Sequence, residues 1–134
     1  MLPSEKQKYI AALRSHALQQ GLHVKLPVSL GFPEGCDKSS HPYYCLQRKL
    51  KPGQPFIHLI RDDRGVHLSS AQNSIQRDFL TQVLLNLSKN YDAIYIGNGL
   101  IGLSWDEAKT ENIQLPQELI DTLGKIENFV LNGK

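Results

Sequence analysis

The dipeptide Asn98-Gly99 lies between two apolar runs, at residues 91–97 and 100–105, and this arrangement restricts the fold more than any other local feature. Asn and Gly both tolerate the positive φ angles of a type I′ turn, which joins two neighbouring antiparallel strands. The segment therefore predicts a β-hairpin, and with it a fold that contains an antiparallel sheet.

Four further strands are predicted upstream of this hairpin. Residues 22–30 alternate apolar and polar side chains, which is the period of a half-buried strand. Pro27 indicates a strand that lies at an edge or is only partly paired, because proline has no amide to donate. Residues 43–50, 56–61 and 66–69 also read as strands, with Gly65 allowing a tight turn before the last of them. Residues 31–42 have the composition of a long loop, and residues 51–55 that of a turn.

Three helices complete the prediction. Ser4 and Gln7 form a capping-box pattern that begins a helix over 4–20. A second helix, with a wide apolar stripe, is capped by Asn73 or Ser74 and ends at Asn90, and a third runs from Pro116 to residue 133. The order α-β-β-β-β-α-β-β-α predicts one α+β domain over residues 1–134, with a mostly antiparallel sheet and helices packed on one face.

This order of elements resembles that of the small dimeric secretion chaperones. The similarity covers residues 4–20 and 43–131 at the level of helices and strands, and the additional strand and loop at 22–42 depart from the chaperone pattern. The net basic charge departs from it as well, because such chaperones are usually acidic. The resemblance concerns the order of the elements and includes no diagnostic residue motif.

Length and charge restrict the function only broadly. A chain of 134 residues is the size of one domain, and it contains no apolar run near the roughly 20 residues of a membrane helix. With no apolar leader at the N-terminus, we expect a cytoplasmic protein.

The charged side chains are distributed unevenly along the chain. Residues 1–67 carry ten basic and five acidic side chains, whereas residues 68–134 carry five basic and eight acidic ones. The basic half is compatible with an anionic partner, although the two halves can also balance each other in the folded domain.

Nucleic-acid binding is one alternative function that the basic residues suggest. They lie on or beside adjacent predicted strands, near Tyr43 and Tyr44, and cations bind phosphates while aromatic rings stack on bases. Neighbouring strand residues point to opposite faces, however, so the cations do not form one stripe. The candidate residues are Arg48, Lys49, Lys51, Arg61 and Arg64.

A metal- or thiol-dependent enzyme is a weaker alternative, with its site built on Cys36, His41 and Cys45. Thiolates and imidazole are zinc ligands, but the spacing matches no standard zinc finger, and thiols without a secretion signal are expected to be reduced. The carboxylate pair Asp106 and Glu107 is explained by the first turn of a short helix, where acids complement the dipole. We therefore predict no cofactor and no catalytic residue.

Protein binding is the main functional prediction. The third strand is apolar on both faces apart from His58, and the late hairpin is equally apolar. If helices cover one face of the sheet, an apolar second face requires another chain unless the domain covers it itself. The sequence predicts a non-enzymatic adaptor or chaperone-like accessory protein that self-associates as a homodimer. The candidate contact residues are Phe56, Ile57, Leu59, Tyr95, Ile101 and Trp105.

Overall fold

The computed structural model describes residues 5–26, 41–47, 57–62, 65–71, 77–97, 99–107 and 116–132. It confirms the α+β prediction and the predicted order of three helices and six strands. The helices are α1 (Glu5–Gln19), α2 (Arg77–Asn86) and α3 (Gln117–Asn132). The strands are β1 (Leu22–Lys25), β2 (Tyr43–Gln47), β3 (Ile57–Asp62), β4 (Gly65–Ala71), β5 (Tyr91–Gly97) and β6 (Leu100–Trp105).

The six strands form one antiparallel sheet in the order β1-β2-β6-β5-β3-β4. The predicted late hairpin is β5–β6, and Gly99 has φ 77° in its turn. Gly65, with φ 114°, begins the return strand of the β3–β4 hairpin. Strand β1 lies at one edge of the sheet, the position that Pro27 predicted for its strand.

The helices all pack against one face of the sheet, as predicted. Leu13 of α1, Leu84 of α2 and Leu123 of α3 belong to one buried core together with Ile94 and Leu103 of the central strands. Each such side chain stabilises the fold by roughly 1.5–3 kcal/mol when it is fully buried. The helix layer and one face of the sheet therefore form a single core.

The opposite face of the sheet is also buried within this one chain. Tyr43, Cys45 and Tyr95 are fully buried there, and the Tyr43 hydroxyl lies 2.7 Å from Nε2 of the buried His58. No residue of a described helix belongs to this second cluster. The central residues of this second face are thus buried, which the sequence could not decide because alternation reveals which residues are apolar but not which of them are buried.

Helix α2 ends earlier than its sequence suggests. It ends at Asn86 rather than Asn90. The next carbonyls, those of Leu87 and Ser88, bind the Arg61 guanidinium instead of helix amides. The Asn90 carbonyl accepts a hydrogen bond of 2.9 Å from the backbone amide of Asp106. The predicted caps at positions 73 and 74 and residues 31–40 of the predicted loop over 31–42 lie outside the described residues. None of the described helices has the length and apolar character needed to cross a bilayer.

Candidate functional site

Five of the six predicted partner-binding residues lie inside the protein. Ile57, Leu59, Ile101 and Trp105 are part of the core beneath the helices, and Tyr95 belongs to the buried cluster on the other face. Trp105, the expected aromatic anchor, is only 1% exposed. Phe56 lies outside the described residues. Association through this set remains a prediction, and the exposed surface has to be searched separately for a binding site.

Arg61, one of the five predicted nucleic-acid contacts, binds backbone carbonyls instead of facing solvent. Its guanidinium donates five hydrogen bonds to carbonyls at and after the end of α2, which are those of Leu84, Leu87, Ser88 and Tyr91. A cation at this position complements the negative end of the helix dipole. Arg61 therefore has a structural role, because it caps the C-terminal end of α2.

The electrostatic surroundings of Arg61 agree with this role. Burial lowers the pKa of its guanidinium, and the nearby carboxylates of Asp92 and Glu118 partly offset that effect. Arg48, Lys49, Lys51 and Arg64 lie outside the described residues, so nucleic-acid binding through them stays a prediction.

Cys45 has the properties of a core residue rather than of a nucleophile or ligand. It is a free, fully buried thiol, and burial raises its pKa to about 12, while the charge of Lys25 acts in the opposite direction. Since the thiolate is the reactive and metal-binding form, Cys45 stays protonated and unreactive near neutral pH. Within the described ranges, no group of three His, Cys, Asp or Glu side chains is arranged to hold a metal ion, and Cys36 lies outside those ranges.

His41 lies between two carboxylates. Its Nδ1 pairs with Asp92, and its Nε2 lies 3.8 Å from Oδ2 of Asp106. Asp92 occupies a bulge in β5, where the register with β6 shifts, and such bulges turn a side chain away from its regular direction. Ser104 also donates a hydrogen bond of 3.0 Å to the His41 carbonyl. His41 thus connects the start of β2 to β5 and to the end of β6.

Glu107 forms the most deeply buried ion pair of the described residues. Its carboxylate is 5% exposed and accepts two hydrogen bonds of 2.8 Å from Arg14 and one of 2.5 Å from the Tyr44 hydroxyl. The hydrogen bond to Glu107 raises the pKa of Arg14, and burial raises the pKa of Tyr44. From the sequence, Glu107 was expected to complement the dipole of a short helix. In the structure, Glu107 binds Arg14 and Tyr44 and so connects α1 to the sheet.

An apolar groove between the C-terminal end of α1 and the middle of α3 is the best candidate for a binding site. Leu22 and Leu46 contribute to it from the sheet, and Ile120 and Leu123 from α3. Its volume is about 190 Å³. Since an apolar cavity of about 150 Å³ in another protein admits benzene, this groove is large enough for one leucine- or phenylalanine-sized side chain.

Gly124 lines the same groove and is not explained by the fold. A glycine inside a helix costs about 0.5–1 kcal/mol relative to alanine. A Cβ atom at position 124 would have nothing within 4 Å, and Gly124 is not among the residues with positive φ. Neither packing nor backbone conformation therefore requires glycine there. Its absent side chain allows another molecule to approach α3 closely.

The groove was missed at the level of sequence, although one signal was present. Ile120 and Leu123 belong to an apolar stripe that the sequence predicts to face the core. The isolated glycine within that helical pattern was the available sign of a special position. Nothing local could have indicated that β1 and β2 place Leu22 and Leu46 beside it.

Comparisons of the chain with protein-family models, with curated proteins and with solved structures give no match in any of the three. The geometry of the chain is therefore the basis for a functional assignment.

Proposed function

We propose that this chain is a small cytoplasmic, non-enzymatic accessory protein that binds a protein partner, in the manner of an adaptor or chaperone. The groove between α1 and α3 receives one apolar side chain of that partner. The observation that carries the proposal is Gly124, a mid-helix glycine beside an apolar groove with open space where its side chain would be.

The energetics of the groove suit an anchoring contact. Burying a leucine or phenylalanine side chain contributes roughly 1.5–3 kcal/mol, and a few buried side chains carry most of the binding energy of an interface. Association also loses translational and rotational freedom, which costs at least about 4 kcal/mol. One anchored side chain is therefore a specificity element, and a stable complex needs further contacts around the groove.

Two observations support the non-enzymatic part of the proposal. The Cys45 thiol stays protonated because burial raises its pKa to about 12. Both ring nitrogens of His41 face carboxylates, those of Asp92 and Asp106, as in an ion pair that joins strands. Cys45 and His41 are the two described residues of the predicted metal or thiol site, and both have structural roles.

Methyl NMR of the full chain tests the groove with short peptides, whose flanking residues supply the further contacts that one side chain lacks. We expect octapeptides with a central Leu or Phe, at millimolar concentration, to shift the methyl signals of Leu22, Leu46, Ile120 and Leu123. The same octapeptide with a central Ala is the control, because its methyl group leaves most of the groove empty. The variant Gly124→Trp, which fills the groove, should abolish the shifts, whereas Gly124→Ala should retain most of them. Shifts that are absent, or scattered over the whole protein, would refute the proposal.

Self-association belongs to the same proposal as a second use of the groove. A second copy of the chain is one protein partner that can insert a side chain into it. Sedimentation velocity of the wild type and of Gly124→Trp distinguishes the cases. A dimer that dissociates in Gly124→Trp identifies a second copy as the occupant. A dimer of unchanged strength in both proteins places self-association elsewhere.

A further inference from the structure

We infer that the partner segment carries a lysine or arginine beside the apolar side chain that it inserts. This inference rests on the proposed function and specifies the chemistry of the partner at the same groove. Two features of negative sign meet there, and each of them favours a cation.

The first feature is the carboxylate of Glu127. Glu127 is half-buried, and it is the one charged side chain among the described residues that line the groove. It has interactions within the protein, but a carboxylate has about four lone-pair sites and can accept an additional donor. A lysine or arginine next to the inserted side chain would lie within reach of this carboxylate.

The second feature is the C-terminal end of α1. Gln20 lines the groove immediately after this helix, which is 15 residues long. Aligned peptide dipoles place about half a negative charge at the C-terminus of a helix. This partial charge and Glu127 have the same sign, so an acidic partner is disfavoured and a basic one is attracted.

Lys125 does not cancel these charges at the groove. It lines a separate groove between α2 and α3, together with Asp121 and Glu118. Among the described lining residues, the groove between α1 and α3 therefore has a carboxylate beside apolar side chains, whereas the groove between α2 and α3 has a lysine as well as carboxylates. A carboxylate beside apolar side chains is complementary to an apolar residue flanked by cations.

A peptide array tests the inference directly. The probes are octapeptides with a central Leu or Phe, flanked on both sides by Lys, Gln or Glu, with the outer positions randomised. The labelled full chain is applied as wild type, Glu127→Gln, Asp121→Asn and Gly124→Trp. Asp121→Asn is the matched control, since it makes the same charge change on the same helix but at the other groove.

We expect the wild type to bind Lys-flanked peptides more strongly than Gln-flanked ones, and Glu-flanked ones least. Glu127→Gln should weaken Lys-flanked binding about two- to five-fold, the effect of one partly exposed ion pair, whereas Asp121→Asn should not. Equal binding of all three flanks, still lost in Gly124→Trp, would overturn this inference and leave the proposed function intact. Binding that is the same in wild type and Gly124→Trp would overturn both.

Discussion

Arg14 of α1 holds the carboxylate of Glu107 with two hydrogen bonds of 2.8 Å, although 93 residues separate them in the chain. Arg14 is part-exposed, whereas Glu107 is buried, so the two ends of the pair are not equivalent. Removal of the arginine leaves a buried carboxylate, while removal of the carboxylate leaves a cation that water can reach. The pair also positions α1, and Gln20, which follows that helix directly, lines the groove between α1 and α3.

Substitution of Arg14 should therefore be costly. We expect Arg14→Met to lower the free energy of unfolding by about 2–4 kcal/mol, because Glu107 keeps only its hydrogen bond from Tyr44 among those described. Tyr44→Phe, which retains the ring, should cost about 1.5–3 kcal/mol as the loss of one hydrogen bond to a charged group. Urea denaturation measures both. Additive costs in the double variant would show that the three groups do not act as one network.

Arg61 should be essential for the C-terminal end of α2. We expect Arg61→Met to destabilise the protein by about 2–3 kcal/mol, because carbonyls of the last turn lose a charged donor. Amide hydrogen exchange should speed up most in residues 84–88. Lys89→Met, a loss of charge at a neighbouring exposed position, serves as the control and should change the free energy of unfolding by less than about 0.5 kcal/mol. Equal effects of the two substitutions would contradict the capping role.

Gly102 and Cys45 should be energetically coupled. A Cβ atom at position 102 would lie 2.7 Å from the Cys45 sulfur, so Gly102→Ala should destabilise the protein by about 1–3 kcal/mol through overpacking. Cys45→Ala removes the atom in conflict and should recover part of that loss in the double variant. A thermodynamic cycle from chemical denaturation gives the coupling. Simple additivity of the two single effects would show that the backbone relaxes instead.

Gly124→Ala should stabilise the protein. A Cβ atom at this position meets nothing within 4 Å, so the helix gains about 0.5–1 kcal/mol without a steric conflict. Thermal and urea unfolding measure the gain. A loss of stability would show that the fold itself needs glycine at 124, which would remove the main observation behind the proposed binding groove.

Stability should fall at alkaline pH, and Cys45 should account for part of the decrease. The pKa of its thiol rises from 9.0 to about 12 on burial, so the folded state holds the proton more tightly than the unfolded state. This contribution is complete below about pH 9 and is lost as the pH rises towards 12, with a slope of up to about 1.4 kcal/mol per pH unit. Burial of Tyr44 and Tyr91 raises their pKa values and acts in the same direction.

Urea denaturation of a Cys36→Ser chain, with and without Cys45→Ala, at pH 8, 9.5 and 11 tests this contribution. We expect the free energy of unfolding to fall less steeply in the variant without Cys45. Parallel curves would show that the Cys45 thiol does not couple folding to pH.

The order of the elements could be predicted because it depends on short-range preferences. Asn98 and Gly99 favour a tight turn whatever surrounds them, and the apolar spacing of the last helix needs only its own residues to define a core-facing stripe. The antiparallel sheet and the helices on one face follow from these local signals. The edge position of β1 also agrees with the sequence, because Pro27 in the predicted strand cannot donate a hydrogen bond to a neighbouring strand.

The sites could not be predicted in this way, because each joins residues that are distant in the chain. Arg14 reaches Glu107 and His41 reaches Asp92 only after β2 has paired with β6 beside β5. The pairing of β1 with β2 brings Leu22 and Leu46 together, and the packing of α3 then makes a groove beside Gly124. Local patterns thus specify which residues are helical, extended or apolar. Which of them are buried, paired or left open to a partner depends on long-range packing, whose energy comes from contacts that no short stretch of sequence contains.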